Sequence, residues 1–486
     1  MVPEIHIVSP SEVPYYRQVY EQIRVAILSG RMARGERLPP TRELAGSIGL
    51  NRTTITAAYE LLENDGLIKS HVGRGSFVEW ANRVDWESII AADENPPAAP
   101  SALISFSASR PSEMQFPLEE FRATCREVID SKDAANILQL GPASGYEPLR
   151  RFILEQLRSR GEAGENDDIL ITSGCQQAFD LIQRVLAPRG ETVVLEDPVY
   201  PGVRSVFQRG GARVIGAPVT LRGARSGVEV DSLERIFEKE HPRLVVLTPN
   251  FQNPTGTTIP EDARKQIFEL ARRFGVIIVE DDLYGGLRYF GEDVRAMKAL
   301  DEADDVILLG SFSKIAFPGL RVGWCVGPKH FIARLSEAKE ASDLHSDQLS
   351  QAVLLRFAET GRLAAHRKKM LAAGAERLRA CIQSCEKELP EGSEFTRPEG
   401  GMNLWVRLPE PLDAAELAAR AARENVSFTP GKYFAVSRPQ AHGLRLCFAA
   451  MTPENIRYGL QVLGVIFRTE FARARKQRRE PVPVLV

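Results

Sequence analysis

Lys314 lies in the phrase SFSKIAFPGLRVGW, directly after the apolar run DVILLG. A primary amine placed there can condense with an aldehyde, while the hydroxyls of Ser311 and Ser313 and the guanidinium of Arg321 can hold a dianion beside it. Four phrases upstream supply complementary groups. TSGCQQAFDLI follows the strand-like run ILIT and opens a helix, so the amides of Gly174, Cys175 and Gln176 point at an anion from a helix N-terminus. EDPVYPG follows the strand TVVLE and ends near Tyr200, an aromatic able to lie against a flat ring. TPNFQNPTG offers Asn253 as a donor to a phenolic oxygen, and GVIIVEDDLYGGLRY sets Asp281 at a strand end with Tyr284 shortly after, where it can share that oxygen. Singly, each has an ordinary structural reading: NPTG as a turn, EDD as a helix cap, Tyr200 as a rim aromatic. Together, in this order and at the carboxyl ends of predicted strands, they are the parts of a pyridoxal 5'-phosphate site. Lys314 is its Schiff-base lysine, and Asp281 keeps the pyridine nitrogen protonated so that the ring draws electrons.

A second group of side chains suits a different partner. Tyr16 to Leu28 sets Val19, Ile23, Ala26 and Ile27 on one helical stripe that Gly30 stops. In GERLPPTRELAGSIGLNRTTITAAYELLENDGLI, Thr41 is expected to cap a short helix, Gly49 to make a turn, and Asn51 to cap a second helix that turns Ile55, Ala58, Tyr59 and Leu62 inward. That is a helix-turn-helix pattern. Facing outward are Arg52, Thr53, Thr54 and Thr56, suited to phosphates and base edges in a major groove, with Arg37, Thr41 and Arg42 flanking them. The runs LIKSH and SFVEW then flank VGRG, a hairpin whose tip carries Gly73, Arg74 and Gly75. Residues 31–56 hold five arginines against two glutamates, so positive charge is local although the whole chain carries only -2.

The elements that must position these groups follow from the pattern of the 486 residues, 43% apolar and 26% charged. Residues 13–80 read as the DNA-binding domain, and 81–103, with DENPPAAPS, as a linker. From residue 104 to 338, the runs DDILIT, ETVVLED, ARVIGAP, PRLVVLTP, GVIIVED, DDVILLGS and RVGWCVG alternate with helical stretches, which predicts a mostly parallel sheet between helices. Residues 339–468 read as a smaller α+β lobe, and 469–486, a basic cluster before Pro-broken apolar residues, as a tail. No run approaches the ~18 apolar residues of a membrane span and no signal peptide is apparent, so a cytoplasmic protein is expected. Six cysteines without a CxxC pair predict reduced thiols and no metal site, although Cys381 and Cys385 can face one another on a helix.

The phrases YRQVYEQIRVAILSGR, GERLPPTRELA, NRTTITAAYELLENDGLI and GRGSFV closely resemble the GntR-type winged helix. SGCQQAFDLI, EDPVYPG, PNFQNPTG, VEDDLYGGLRY and SFSKIAFPGLRVGW resemble fold type I aminotransferases, particularly aminoadipate and kynurenine aminotransferases. By that resemblance HGLRLCFA supplies the arginine that clamps a ligand α-carboxylate, Arg445, whose guanidinium meets a carboxylate with two parallel hydrogen bonds. The order of the two halves resembles the MocR subfamily of GntR regulators over nearly the whole chain. The resemblance implies a homodimer, head-to-tail, that reads repeated half-sites on double-stranded DNA and senses pyridoxal phosphate, or a small amino acid or amine, through an aldimine at Lys314. The alternative is a working aminotransferase that carries a DNA-binding module, since every catalytic group named above is intact.

Overall fold

The computed structural model describes residues 5–11, 13–71, 74–80, 104–221, 226–301 and 304–479. The expected linker at 81–103, Gly73 and residues 480–486 lie outside the described residues. The chain divides into two compact units, Met1–Asn95 and Pro96–Val486.

In the first unit, α1 (Tyr15–Leu28) buries Val19, Ile23, Ala26 and Ile27. Helix α2 (Thr41–Ile48) ends at Gly49, whose φ of 70° closes it in the left-handed region. Thr41 does not cap it. Pro40 occupies the cap position, so Thr41 is already the first helical residue, and no side-chain cap bond forms. Asn51 does stand at the cap of α3 (Arg52–Asn64), again without a side-chain cap bond, and Ile55, Ala58, Tyr59 and Leu62 are buried. The hairpin β1 (Ile68–His71) and β2 (Gly75–Val78) is antiparallel, with His71 opposite Gly75 at its tip. Both strands close on the same core through Ile68 and Val78.

The second unit opens with β3 (Ile104–Ser105), α4 (Leu118–Ile129), α5 (Ala134–Ile137) and α6 (Glu147–Ser159). There follow β4 (Asp167–Thr172), α7 (Cys175–Leu186), β5 (Thr192–Asp197), α8 (Pro201–Arg209), β6 (Arg213–Thr220), β7 (Gly227–Val228), α9 (Val230–Glu240), β8 (Leu244–Leu247), α10 (Glu261–Phe274), β9 (Ile277–Asp281), β10 (Val306–Ser311) and β11 (Gly323–Pro328). Strands β4 to β11 form one eight-stranded sheet in the order β4-β11-β10-β9-β8-β5-β6-β7. Its strands β10, β9, β8, β5 and β6 pair in parallel, and the first four are buried nearly throughout, as apolar strands covered on both faces must be, while β6 is only partly buried. Strand β11 is antiparallel to β10 and β4, so RVGWCVG returns the chain across the sheet.

The remaining elements are α11 (Lys329–Asp343), α12 (Gln348–Glu359), α13 (Arg362–Glu388), β12 (Glu394–Phe395), β13 (Asn403–Arg407), α14 (Ala414–Arg423), β14 (Val426–Ser427), β15 (Thr429–Pro430), β16 (Gly443–Cys447) and α15 (Pro453–Arg479). Strands β12, β13, β16 and β15 make the small-lobe sheet, with a core that includes Leu378, Leu404, Leu446, Ile456 and Phe467. Three expectations change here. Helix α11 runs through the boundary placed at 338/339, because the stripe it buries continues from Phe331, Ile332 and Leu335 to Lys339. Residues 104–106 belong to the small lobe: β3 pairs with β14, and Ile104 and Phe106 sit in that lobe's core. The expected tail is helical through Arg479, since Phe471 continues the apolar face of α15 and Glu470 pairs with Arg420.

Candidate functional site

The parallel strands end on one rim, and the loops leaving that rim build a single cavity of about 280 Å³. Cys175, Gln176, Tyr200, Asn253, Asp281, Tyr284, Ser311, Ser313, Lys314, Arg321 and Arg445, far apart in sequence, all line it. Lys314 leaves a 3-10 turn (Phe312–Lys314) that β10 delivers. Its Nζ donates to the Ser109 carbonyl at 2.8 Å and stands 5.6 Å from the centre of the Tyr284 ring. Asn253 Nδ2 donates to the Tyr284 hydroxyl at 3.3 Å, so both candidate partners of one phenolic oxygen are already together.

Asp281 ends β9 and is buried, with no hydrogen-bond partner for Oδ1. Burial, aided by the neighbouring Asp282 charge, pushes its carboxyl up to about 8. An orphaned acid at the floor of a cavity is the group that a protonated pyridine nitrogen would satisfy. Next to the lining residue Cys175, Gly174 (φ 87°) precedes α7, whose first-turn amides have no partner within the helix. A Cβ at Gly174 would come within 2.5 Å of Arg321 Nη2, so only glycine lets that guanidinium lie on the helix mouth. Arg321 Nη2 donates to the Ser173 carbonyl at 3.0 Å and Nη1 approaches Ser313 Oγ at 3.5 Å. Ser311 Oγ accepts from the Ser313 amide at 3.0 Å. This donor set, one guanidinium, two hydroxyls and a helix N-terminus, fits a phosphate dianion. The cavity therefore fits pyridoxal 5'-phosphate at both ends.

Arg445, on β16, is buried and its guanidinium lies over the Phe434 ring at 5.0 Å. Nη1 donates to Asn253 Oδ1 at 3.0 Å, Nη2 donates to the Ser107 carbonyl and contacts Thr429 Oγ1 at 3.4 Å, and Nε has no partner. Tyr200 is 45% exposed at the rim. Sequence reasoning missed Glu196 and Ser109, which also line the cavity. Glu196 directly precedes Asp197 in EDPVYPG, and its fully buried carboxyl is raised by burial to about 8. A polar residue inside the apolar run TVVLE was the available signal. Ser109 carries no motif and is brought in by tertiary structure alone.

In the first unit, Arg37, Arg42, Arg52, Thr53 and Arg74 are exposed, while Thr41, Thr54, Thr56 and Gly75 are half-buried. Thr56 Oγ1 donates to the Arg52 carbonyl at 3.0 Å, which leaves it acceptor capacity only. Arg37 pairs with Phe77 at the wing's edge, and a Cβ on Gly75 (φ 104°) would stand 2.9 Å from its Nε. Arg34 is tied to Glu79 at 3.1 Å. Cys381 and Cys385 are buried free thiols, and among the described residues no cluster could hold a metal ion and no helix is long and apolar enough to cross a membrane.

Comparison with known proteins identifies both parts of the chain. Residues 102–463 match the family of aminotransferase class I and II, and residues 15–78 match bacterial regulatory proteins of the gntR family. The chain is 36% identical over 376 residues to aromatic-amino-acid aminotransferase 1 of Thermococcus litoralis, covering 77% of this chain and 90% of that one. It is 28% identical over 479 residues to the probable rhizopine catabolism regulatory protein MocR of Rhizobium meliloti, covering 94% of each. The structure of alpha-aminoadipate aminotransferase LysN from Thermus thermophilus, complexed with N-(5'-phosphopyridoxyl)-L-leucine, superposes with a TM-score of 0.73 at 32% identity, covering 80% of this chain and all of that one. The chain thus belongs to the aminotransferase class I and II family, whose domain takes pyridoxal 5'-phosphate, and carries ahead of that domain a DNA-binding helix-turn-helix of the gntR family, with homology over most of its length to the regulator MocR.

Proposed function

We propose that this regulator reads DNA with Arg37, Arg42, Arg52, Thr53, Thr54 and the wing arginine Arg74, and that occupancy of the Lys314 cavity sets how it does so. One observation carries the reading: a gntR-family head and a cavity of about 280 Å³ furnished for a cofactor occur in one chain. When bound, pyridoxal phosphate supplies an electrophilic carbon for an amine and a ring that withdraws electrons. Lys314 is the attachment point. Asp281 holds the ring nitrogen, Asn253 and Tyr284 the phenolic oxygen, and Tyr200 covers the ring. Ser311, Ser313, Arg321 and the amides of Gly174, Cys175 and Gln176 hold the phosphate. Arg445 takes the carboxylate of an effector, which is small, because the cavity of about 280 Å³ falls just below the ~300–1,000 Å³ usual for ligand sites.

A head-to-tail homodimer in the cytoplasm, with two heads on repeated half-sites, completes the reading. It is supported by the exposed Met114, Leu138, Leu140 and Leu344, at 61% to 75% exposure, which a partner copy would cover. The rival reading, aminotransferase turnover, is favoured by the intact catalytic set and by the 36% identity to an aminotransferase. Keto-acid release under multiple-turnover conditions, measured beside gel shifts on the protein's own upstream DNA, separates the two. A regulator shows a cofactor- or amino-acid-dependent shift without sustained release; sustained release with an unresponsive shift would overturn it.

A further inference from the structure

The loop 249–259, between β8 and α10, carries Asn253 into the cavity, and both ends of that amide are engaged: Nδ2 donates to the Tyr284 hydroxyl at 3.3 Å and Oδ1 accepts from Arg445 Nη1 at 3.0 Å. A guanidinium only donates, so the amide stands with its Nδ2 toward Tyr284. The loop does not hold this shape by itself. Phe251 has a φ of 51°, a left-handed conformation that a residue with a side chain keeps only where its surroundings impose it. Gln252 shapes the tip: its Oε1 accepts from the Thr255 amide at 2.9 Å and its Nε2 donates to the Pro198 carbonyl at 2.8 Å, beyond β5. Those bonds leave the tie between the loop and the chain after β9, where Tyr284 stands, to other groups.

Arg264, near the start of α10, supplies that tie; its side chain is 0% exposed and does not line the cavity. Its Nε donates to the Ile259 carbonyl at 2.8 Å and its Nη2 to the Pro249 carbonyl at 2.9 Å, so one planar fork closes both ends of the loop, beside the direct bond from Ile259 N–H to the Pro249 carbonyl at 2.9 Å. Nη2 also donates to Asn250 Oδ1 at 2.7 Å, and Asn250 Nδ2 donates onward to Asp282 Oδ1 at 2.8 Å, just after β9. Nη1 is anchored behind, on the Arg295 carbonyl at 2.9 Å. A lysine, with a single nitrogen at its end, cannot span these acceptors.

We infer that Arg264 is a positioning residue of the cofactor site: from outside the cavity it closes the neck of the loop 249–259 and, with Asn250, sets Asn253 against Tyr284. The inference rests on the reading that Asn253 donates to the cofactor's phenolic oxygen, and it names the side chain on which that donation depends.

The test is the pH midpoint of the bound cofactor's visible absorbance change, measured on the full-length holoprotein for wild type, Asn253→Ala, Arg264→Lys and the double variant. A donor to the phenolic oxygen favours the deprotonated, more negative form of the cofactor, so losing it moves the midpoint up, by about one pH unit for one hydrogen bond to a charged oxygen. We expect Arg264→Lys to move the midpoint most of the way to the Asn253→Ala value. The double variant is expected to match Asn253→Ala, because a residue that acts through that amide adds nothing once it is gone. A wild-type midpoint in Arg264→Lys while Asn253→Ala shifts, or a double variant whose shift is the sum of the two, overturns the inference; a lowered melting temperature alone would mark Arg264 as a stabilising residue only. Should Arg264→Lys not fold, Asn250→Ala cuts the same tie from the loop's side and decides by the same comparison. Failure of the underlying reading shows separately, as a midpoint that Asn253→Ala leaves at the wild-type value, and takes the inference with it.

Discussion

Asp281 is buried in the cofactor-free chain with no hydrogen-bond partner for its Oδ1. Its carboxyl is raised to about 8 in the folded chain against an ordinary value of 3.8, so the cofactor-free protein binds an extra proton between those values. Its contribution to stability is therefore greatest below pH 4 and is lost as pH rises toward 8. In cofactor-free protein the melting temperature of Asp281→Asn should gain on wild type through that window, and calorimetry at pH 5 and pH 8 reads the gain. With cofactor the order reverses, because asparagine cannot supply the charge opposite the ring nitrogen. Gly174→Ala forces a side chain onto a φ of 87° and against Arg321. It should weaken cofactor binding at least about tenfold, with ~1–2 kcal/mol of lost stability. On the DNA side, Arg52→Ala should cost about 1–3 kcal/mol and relax preference at one base position.

At the scale of elements, the small lobe is latched to the large sheet through the end of β5. Asp197 accepts from the amides of Val436 at 3.0 Å, Ser437 at 2.8 Å and Arg438 at 2.9 Å. Asp197→Ala leaves three amides to be resolvated and should cost more than about 2 kcal/mol in denaturant unfolding, with tighter-than-wild-type stability contradicting the latch. The strands of the sheet were legible in the sequence because a parallel strand covered on both faces must be apolar throughout. Glu196, Asp281 and Ser311 stood out at strand ends for the converse reason, although only the latter two were read as functional. What stayed hidden has physical causes too. The β3–β14 pair spans two residues per strand and joins opposite ends of the second unit, so no local period announces it. In α15 the basic run drew attention from the Phe467–Phe471 stripe that carries the helix onward. A proline pair before Thr41 reads equally as a turn before a cap or as the cap itself.

For the whole molecule, a net charge of -2 hides a basic stretch at residues 31–56 and a furnished cavity that only regional inspection separates. The two functions are legible as motifs, while backbone contacts at the cavity, such as the Ser109 carbonyl on Lys314, are encoded by no side-chain pattern. The most direct measurement is a fluorescence-anisotropy titration of the upstream DNA with wild-type protein and Lys314→Ala, each with and without pyridoxal phosphate, while visible absorbance is followed. The expected result is that cofactor colours the wild type and changes its DNA affinity, and does neither to Lys314→Ala. A wild type that stays colourless, or a Lys314→Ala protein whose DNA binding responds to cofactor as the wild type does, would contradict the assignment of sensing to this lysine.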